Sequence, residues 1–171
     1  KAAPHYEGYW SAQLRPAQDR LMQLAALQPG ERVLDVACGT GLVTFRAAAA
    51  VGPGGSVVAT DISTEALAVA SMNVSRHGVA DRVELVRADL FAGLHGPFDL
   101  IVSNPPYIRS ADIAMLAPEV RDHDPGIALY GGSEDGLAIP LATARVAAGL
   151  LRPGGLRLVG LVGVRADPEA A

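Results

Sequence analysis

Arg32-Val33-Leu34-Asp35-Val36-Ala37-Cys38-Gly39-Thr40-Gly41 is the stretch on which the fold turns. Its first five residues form a short apolar run of the kind buried on both faces, which predicts a parallel strand. Gly39 and Gly41 then allow positive φ and close approach of the backbone to a ligand, and Leu42 to about Val51 reads as a helix. Strand, glycine turn and helix N-terminus make the ligand cradle of a doubly wound sheet. Outward from it, Val57 to Thr60 is a second β run ending in Asp61, and Val83 to Arg87 a third, followed by Ala88-Asp89-Leu90. Phe98 to Ser103 is a fourth, followed by Asn104-Pro105-Pro106-Tyr107, and Leu156 to Val162 a fifth. Pro29-Gly30, Gly52 to Gly55 and Pro153 to Gly155 each punctuate the approach to a strand. Strands alternating with helical stretches predict an α/β domain with a doubly wound, mainly parallel sheet.

The cradle departs from the dinucleotide fingerprint, because Ala37 stands where the first glycine belongs and the remaining spacing is short. Asp35 would repel a pyrophosphate but suits a ligand with an ammonium group. S-adenosylmethionine carries an α-amino group and a sulfonium and no phosphate, so it fits a loop of Asp35, Ala37, Cys38, Gly39 and Gly41. Asp61, at the tip of the second strand, is placed to accept from both hydroxyls of a ribose, with Ile62 beside it to pack on the adenine. Asp89 can accept from the adenine amino group while the Leu90 amide donates to the ring. Taken singly, each acid is more often a helix cap, and Asp61 or Ser63 could cap the helix that runs to about Arg76. Four such signals at the ends of successive strands instead mark one crevice along the carboxyl edge of the sheet.

Asn104-Pro105-Pro106-Tyr107 is the most specific of the four. The Asn104 side-chain carbonyl and the Pro105 main-chain carbonyl are acceptors that no ladder consumes, and Tyr107 adds an aromatic face. A planar NH2 group fits there, with both hydrogens accepted and its lone pair aimed out of the plane for alkylation. A lone Asn-Pro would be only a polar turn.

Together, Asp35 to Gly41, Asp61, Asp89 and Asn104 to Tyr107 resemble the class I, Rossmann-like S-adenosylmethionine-dependent methyltransferases that act on planar amino nitrogens. Phe98 to Ile108, Leu116 to Pro125, Ala128-Leu129, Gly131-Gly132 and Asp135-Gly136-Leu137 are similar to the HemK/PrmC type, the protein-(glutamine-N5) methyltransferases. That resemblance implies methylation of the glutamine in the Gly-Gly-Gln loop of peptide chain release factors. Asn104, Pro105, Pro106 and Tyr107 would then be the catalytic residues, with Asn104 also bordering the cofactor. Residues 1–30, with a helix from about Ala12 to Leu27, instead resemble the N-terminal segment of free-standing small-molecule methyltransferases, as does Ala37-Cys38. The sequence thus divides into an N-terminal helical segment, 1–30, and a methyltransferase domain, 31–171. It reads as truncated after the fifth strand, short of the two closing strands of the class and of the helical domain that grips the release factor.

The 171 residues, 50% hydrophobic and 19% charged, suffice for one core and not for two ordinary domains. No uninterrupted apolar run reaches the roughly twenty residues of a membrane span, and the first residues given do not read as a signal peptide, so neither is expected. A single cysteine, Cys38, excludes an internal disulfide and suits a reducing cytoplasm; in that loop a small packed residue is the stronger reading than a nucleophile. The net charge of −4 offers little counterion release, which weighs against nucleic acid as the substrate. His5, His77, His95 and His123 lack ligand spacing, so no metal site is expected; His123, between Asp122 and Asp124, reads as part of a solvated loop near the substrate mouth. An amino-methyltransferase of RNA or DNA bases and a small-molecule methyltransferase are the alternatives. Oligomeric state is not legible.

Overall fold

The structure is a computed structural model that describes residues 15–153 and 158–160. Helix α1 occupies 15–25. Strand β1 (Arg32–Val36), helix α2 (Leu42–Val51), β2 (Ser56–Asp61), α3 (Thr64–Arg76), β3 (Val83–Arg87) and β4 (Leu100–Ser103) follow. Three single-turn helices come next, α4 (Ser110–Ile113), α5 (Pro118–Arg121) and α6 (Gly126–Leu129), then α7 (Ala138–Leu150) and β5 (Leu158–Gly160). The sheet runs β3-β2-β1-β4-β5, and every pairing is parallel. The chain winds outward through β1, β2 and β3, then returns past β1 to lay down β4. The winding direction therefore reverses between β1 and β4, the place where α/β sheets open a crevice at their carboxyl edge.

Alternation along each strand decides what covers the two faces. Val33 of β1, Val57 of β2 and Leu100 and Val102 of β4 pack in one core with Ala47, Ala48 and Val51 of α2, Val74 of α3 and Leu21 and Ala25 of α1. Their neighbours Leu34, Val36, Val58 and Ile101 point the other way, into a second core with Phe91, Phe98 and Ala147 of α7. Both faces of β1, β2 and β4 are thus covered, which is why their residues are mostly apolar, with Asp35, Thr60 and Ser103 the buried polar exceptions near the carboxyl ends. Ile101 is fully buried, and truncating such a residue to alanine costs about 2–5 kcal/mol.

Local signals place the helices. Gly41 precedes α2 at φ 81°, and a Cβ there would press on the Ala70 Cβ at 3.2 Å, so only glycine lets α2 lie against α3. Ser63, one of the two caps considered, accepts from the Ala66 amide at 3.1 Å and opens α3. Pro140 falls in the first turn of α7, where it displaces no helical hydrogen bond.

Some boundaries differ from expectation. Phe98 lies outside β4 and makes one parallel bridge to Leu151. Asp99 stays opposite Arg32, donating its amide to the Arg32 carbonyl at 2.8 Å, but its carboxylate takes the Arg32 amide at 2.8 Å and so occupies the donor that would extend the ladder. The turn expected from Asp112 to Leu116 is a helical turn begun earlier, at Ser110. Of the predicted helix from Ala12 to Leu27, the described part ends at Ala26, whose φ of 45° breaks it. Ala12 to Leu14, the ends of the predicted fifth strand and the expected truncation after it all lie outside the described residues. Among those described, no helix is long and apolar enough to cross a membrane.

Candidate active site

All five strands being parallel, their carboxyl ends share one edge, and the predicted residues gather there. The turn after β1 is held from three sides. The Cys38 amide donates to the Thr60 carbonyl at 2.9 Å, the Gly39 amide to Asp61 Oδ2 at 2.8 Å, and Asn73 Nδ2 of α3 to the Thr40 carbonyl at 2.9 Å. Gly39 sits at φ 56°, and a Cβ there would meet nothing within 4 Å: this glycine faces open space, as a ligand cradle requires. Ala37, in place of the first glycine, is nonetheless left-handed at φ 58°. That conformation costs a non-glycine residue roughly 1–2 kcal/mol, which the three anchors around the loop hold in place.

Asp35 is almost fully buried, 3% exposed, and its Oδ2 accepts from Thr44 Oγ1 at 2.6 Å. Burial pushes its carboxyl up to about 7, a rise that the Thr44 hydrogen bond moderates and the nearby Asp61 charge reinforces. Burial first, then the charges of Asp35 and Asp61, pushes the Cys38 thiol well up from its ordinary range. Thiolate chemistry needs the opposite shift, which counts against the half-buried Cys38 as a nucleophile.

Asp61 does more than was expected of it. One oxygen receives the Gly39 amide and the other receives the Ser63 amide at 2.9 Å, so this carboxylate ties the glycine loop to the start of α3. Each oxygen keeps a second lone-pair direction for a ribose hydroxyl. Ile62 beside it is exposed. After β3, Asp89 is exposed and its side chain has no protein partner among the described residues. Leu90 turns back at φ 50° while its carbonyl accepts from the buried Thr60 Oγ1 at 3.2 Å.

Across the switch point, Ser103 pairs in register with Val36, and its Oγ donates to the Val36 carbonyl at 2.8 Å. Asn104 therefore begins where the glycine loop begins, one strand over. Asn104 is exposed, Pro105 buried and Pro106 half-buried, while Tyr107 keeps 37% of its surface open. The turn is thus rooted at Pro105 with Asn104 and Tyr107 presented outward. His123 is exposed, and its neighbour Asp122 pairs with Arg121 at 2.7 Å; no group of residues that could hold a metal occurs among those described. Sequence reasoning missed Thr44, Thr60, Asn73 and Ser103. The available signal was a run of hydroxyl and amide residues at otherwise apolar positions facing the turn.

This arrangement can be set beside known proteins. A family model described as "Methyltransferase small domain" matches residues 10–119. The release factor glutamine methyltransferase of Deinococcus radiodurans is 46% identical over 92% of this chain and 54% of its own length. The ribosomal protein uL3 glutamine methyltransferase of Neisseria meningitidis serogroup A is 40% identical over 81% of this chain and 45% of its own length. The chain thus spans about half the length of these curated relatives. Among solved structures, an S-adenosylmethionine-dependent methyltransferase from Geobacter sulfurreducens, in complex with S-adenosyl-L-homocysteine, superposes with a TM-score of 0.51. It is 26% identical, and the match covers 80% of this chain and 45% of that one. The family match spans the glycine loop, the strand-end carboxylates and the Asn-Pro-Pro-Tyr turn alike, and the chain belongs to the methyltransferase small domain family.

Proposed function

We propose that this chain carries the catalytic half of a protein glutamine N-methyltransferase whose acceptor is the Gly-Gly-Gln loop of a peptide chain release factor. One observation carries the reading: an Asn-Pro-Pro-Tyr turn stands beside an open glycine loop across the β1–β4 switch point, joined in register at Val36 and Ser103. The residues suit S-adenosylmethionine. Gly39 borders open space, Asp61 keeps lone pairs free for a diol, and Asp35 offers a carboxylate to an ammonium group behind the loop. When bound, that cofactor supplies an electrophilic methyl on its sulfonium.

The chain's own part is to bind and aim the nitrogen. An amide nitrogen is a weak nucleophile because its lone pair is shared with the carbonyl. Asn104 Oδ1 and the Pro105 carbonyl, accepting from its two hydrogens, push density onto nitrogen and offset the positive charge that develops there. Tyr107 supports the amide plane and fixes the direction of the lone pair. No general base is required before transfer. The single cysteine and the translation-factor acceptor both suit the cytoplasm.

The name of the Neisseria relative supports a second acceptor, the glutamine of ribosomal protein uL3. Incubating the protein with labelled S-adenosylmethionine and, in separate tubes, release factor, uL3, total RNA and a small-amine mixture distinguishes these. Label in release factor, located on a glutamine side chain by peptide mass mapping, is expected; label in RNA or in the small amines alone would overturn the reading.

A further inference from the structure

The Asn-Pro-Pro-Tyr turn does not hold its shape by itself. Directly after Tyr107, Ile108 is bonded through both its N–H and its C=O to the segment that leads into α7. The Ile108 amide donates to the Leu129 carbonyl at 2.9 Å, and the Gly131 amide returns to the Ile108 carbonyl at 3.0 Å, making a parallel bridge between Ile108 and Tyr130. Gly136, at φ 73°, packs its Cα face on the same stretch. A Cβ there would fall on the Tyr107 carbonyl oxygen and lie 3.2 Å from the Arg109 amide. A Cβ on Gly131 would in turn fall on the Gly136 carbonyl. The turn between them is tied from inside. The Ile139 amide donates to the Gly131 carbonyl at 3.0 Å and the Gly136 amide to the Ser133 carbonyl at 3.1 Å. Ser133 Oγ accepts from the Leu137 and Ala138 amides at 3.1 and 3.0 Å. Three backbones thus meet with no room for a side chain, and α7 is anchored to the β4 core through Ala147.

We infer that Gly136, with Gly131 behind it, is a positioning residue: the glycine turn that opens α7 is a rigid backstop that sets where the Tyr107 ring and the Pro105–Pro106 carbonyls stand, and hence where the acceptor amide is held. This rests on the methyl-transfer reading above. It also gives a reason for glycine at two positions outside the cofactor loop, where a Cβ would strike backbone. Displacing Tyr107 by the width of a methyl group misplaces the acceptor, and a misplacement of about 1 Å can cost on the order of 10²-fold in rate. Cofactor binding, on the β1–β3 side of the switch point, is untouched.

The test compares Gly136→Ala with Gly78→Ala. Gly78 is also left-handed, at φ 67°, but a Cβ there meets nothing within 4 Å, so it carries the same conformational strain without the collision. Each variant is labelled with 3-fluorotyrosine, and fluorine resonances, S-adenosylhomocysteine affinity and methyl transfer to release factor are measured. Gly136→Ala should shift the Tyr107 resonance, identified by Tyr107→Phe, and lower turnover about 10²-fold, with affinity for S-adenosylhomocysteine within a factor of about two of the unaltered chain. Gly78→Ala should leave all three as they are. If Gly136→Ala fails to fold by circular dichroism, Ser133→Ala, which loosens the same turn without overlap, should move the Tyr107 resonance and reduce turnover without weakening the S-adenosylhomocysteine complex. Active unaltered protein with Gly136→Ala matching Gly78→Ala would overturn the inference. An unaltered protein that transfers no methyl would count against the methyl-transfer reading instead, and the inference would then stand or fall on the Tyr107 resonance.

Discussion

Replacing Asp61 by alanine removes two different things at once, and the structure separates them. The carboxylate accepts the Gly39 amide at 2.8 Å and the Ser63 amide at 2.9 Å. Both are charge-assisted bonds to backbone donors, a kind worth about 1.5–3 kcal/mol when well shielded. Asp61 is only half-buried, and water can reach the freed amides, so the lower end applies to each. Asp61→Ala should therefore cost about 2–3 kcal/mol of stability, or roughly 5–10 °C in melting temperature for a chain of this size. It should also weaken S-adenosylhomocysteine by about 10–100-fold, because the proposed ribose acceptor is gone and the loop it anchored is loosened. Asp89→Ala is the internal comparison. That side chain is exposed and without a protein partner among the described residues, so its loss should weaken the ligand while changing stability by no more than about 0.5 kcal/mol. Urea titration and calorimetry on the two variants measure both quantities. Equal destabilisation by the two substitutions would refute the assignment of Asp61 as the tie between loop and helix.

Further outcomes follow from the same geometry. Asp35 has its carboxyl raised from 3.8 to about 7 by burial, so the folded chain binds a proton that the unfolded chain releases. Stability should fall by a few kcal/mol as pH rises from about 4 through about 7, and Asp35→Asn should flatten that window in pH-dependent urea titrations; an unchanged slope would contradict it. Thr44→Val keeps the shape but deletes the 2.6 Å hydrogen bond to Asp35. It should cost about 1–3 kcal/mol at neutral pH and less at pH 5, where the carboxyl is protonated. Asn104→Ala should lower methyl transfer about 10²-fold or more with little change in cofactor affinity or stability, since Asn104 is exposed and its proposed partner is the acceptor amide.

What the sequence made legible, and what it hid, divides by the range of the interactions. The bounds of β1 and α2 were readable because an apolar run and a glycine turn are local devices, decided within the segment itself. The common edge was readable because parallel strands send every carboxyl end the same way. The supports of the site were not. Thr44 belongs to Asp35 only once α2 has turned back over β1, and Asn73 reaches Thr40 only because Gly41 lets α3 approach. Ser103 is an ordinary polar residue until the register with Val36 is known. The second role of Asp61 was hidden for the same reason: its partner Gly39 is 22 positions away. Phe98 misled in the opposite sense, reading as strand while the Asp99 carboxylate takes the Arg32 amide that would extend the ladder.

In the proposed mechanism the group that the Asn104–Tyr107 turn holds is the side-chain amide of the glutamine in the release factor's Gly-Gly-Gln loop. The most direct test is transfer of labelled methyl from S-adenosylmethionine to a purified release factor, beside a copy whose Gly-Gly-Gln glutamine is replaced by glutamate. Label on the first and none on the second is the predicted result. Equal label on both, or label on neither from a protein that binds S-adenosylhomocysteine, would contradict it.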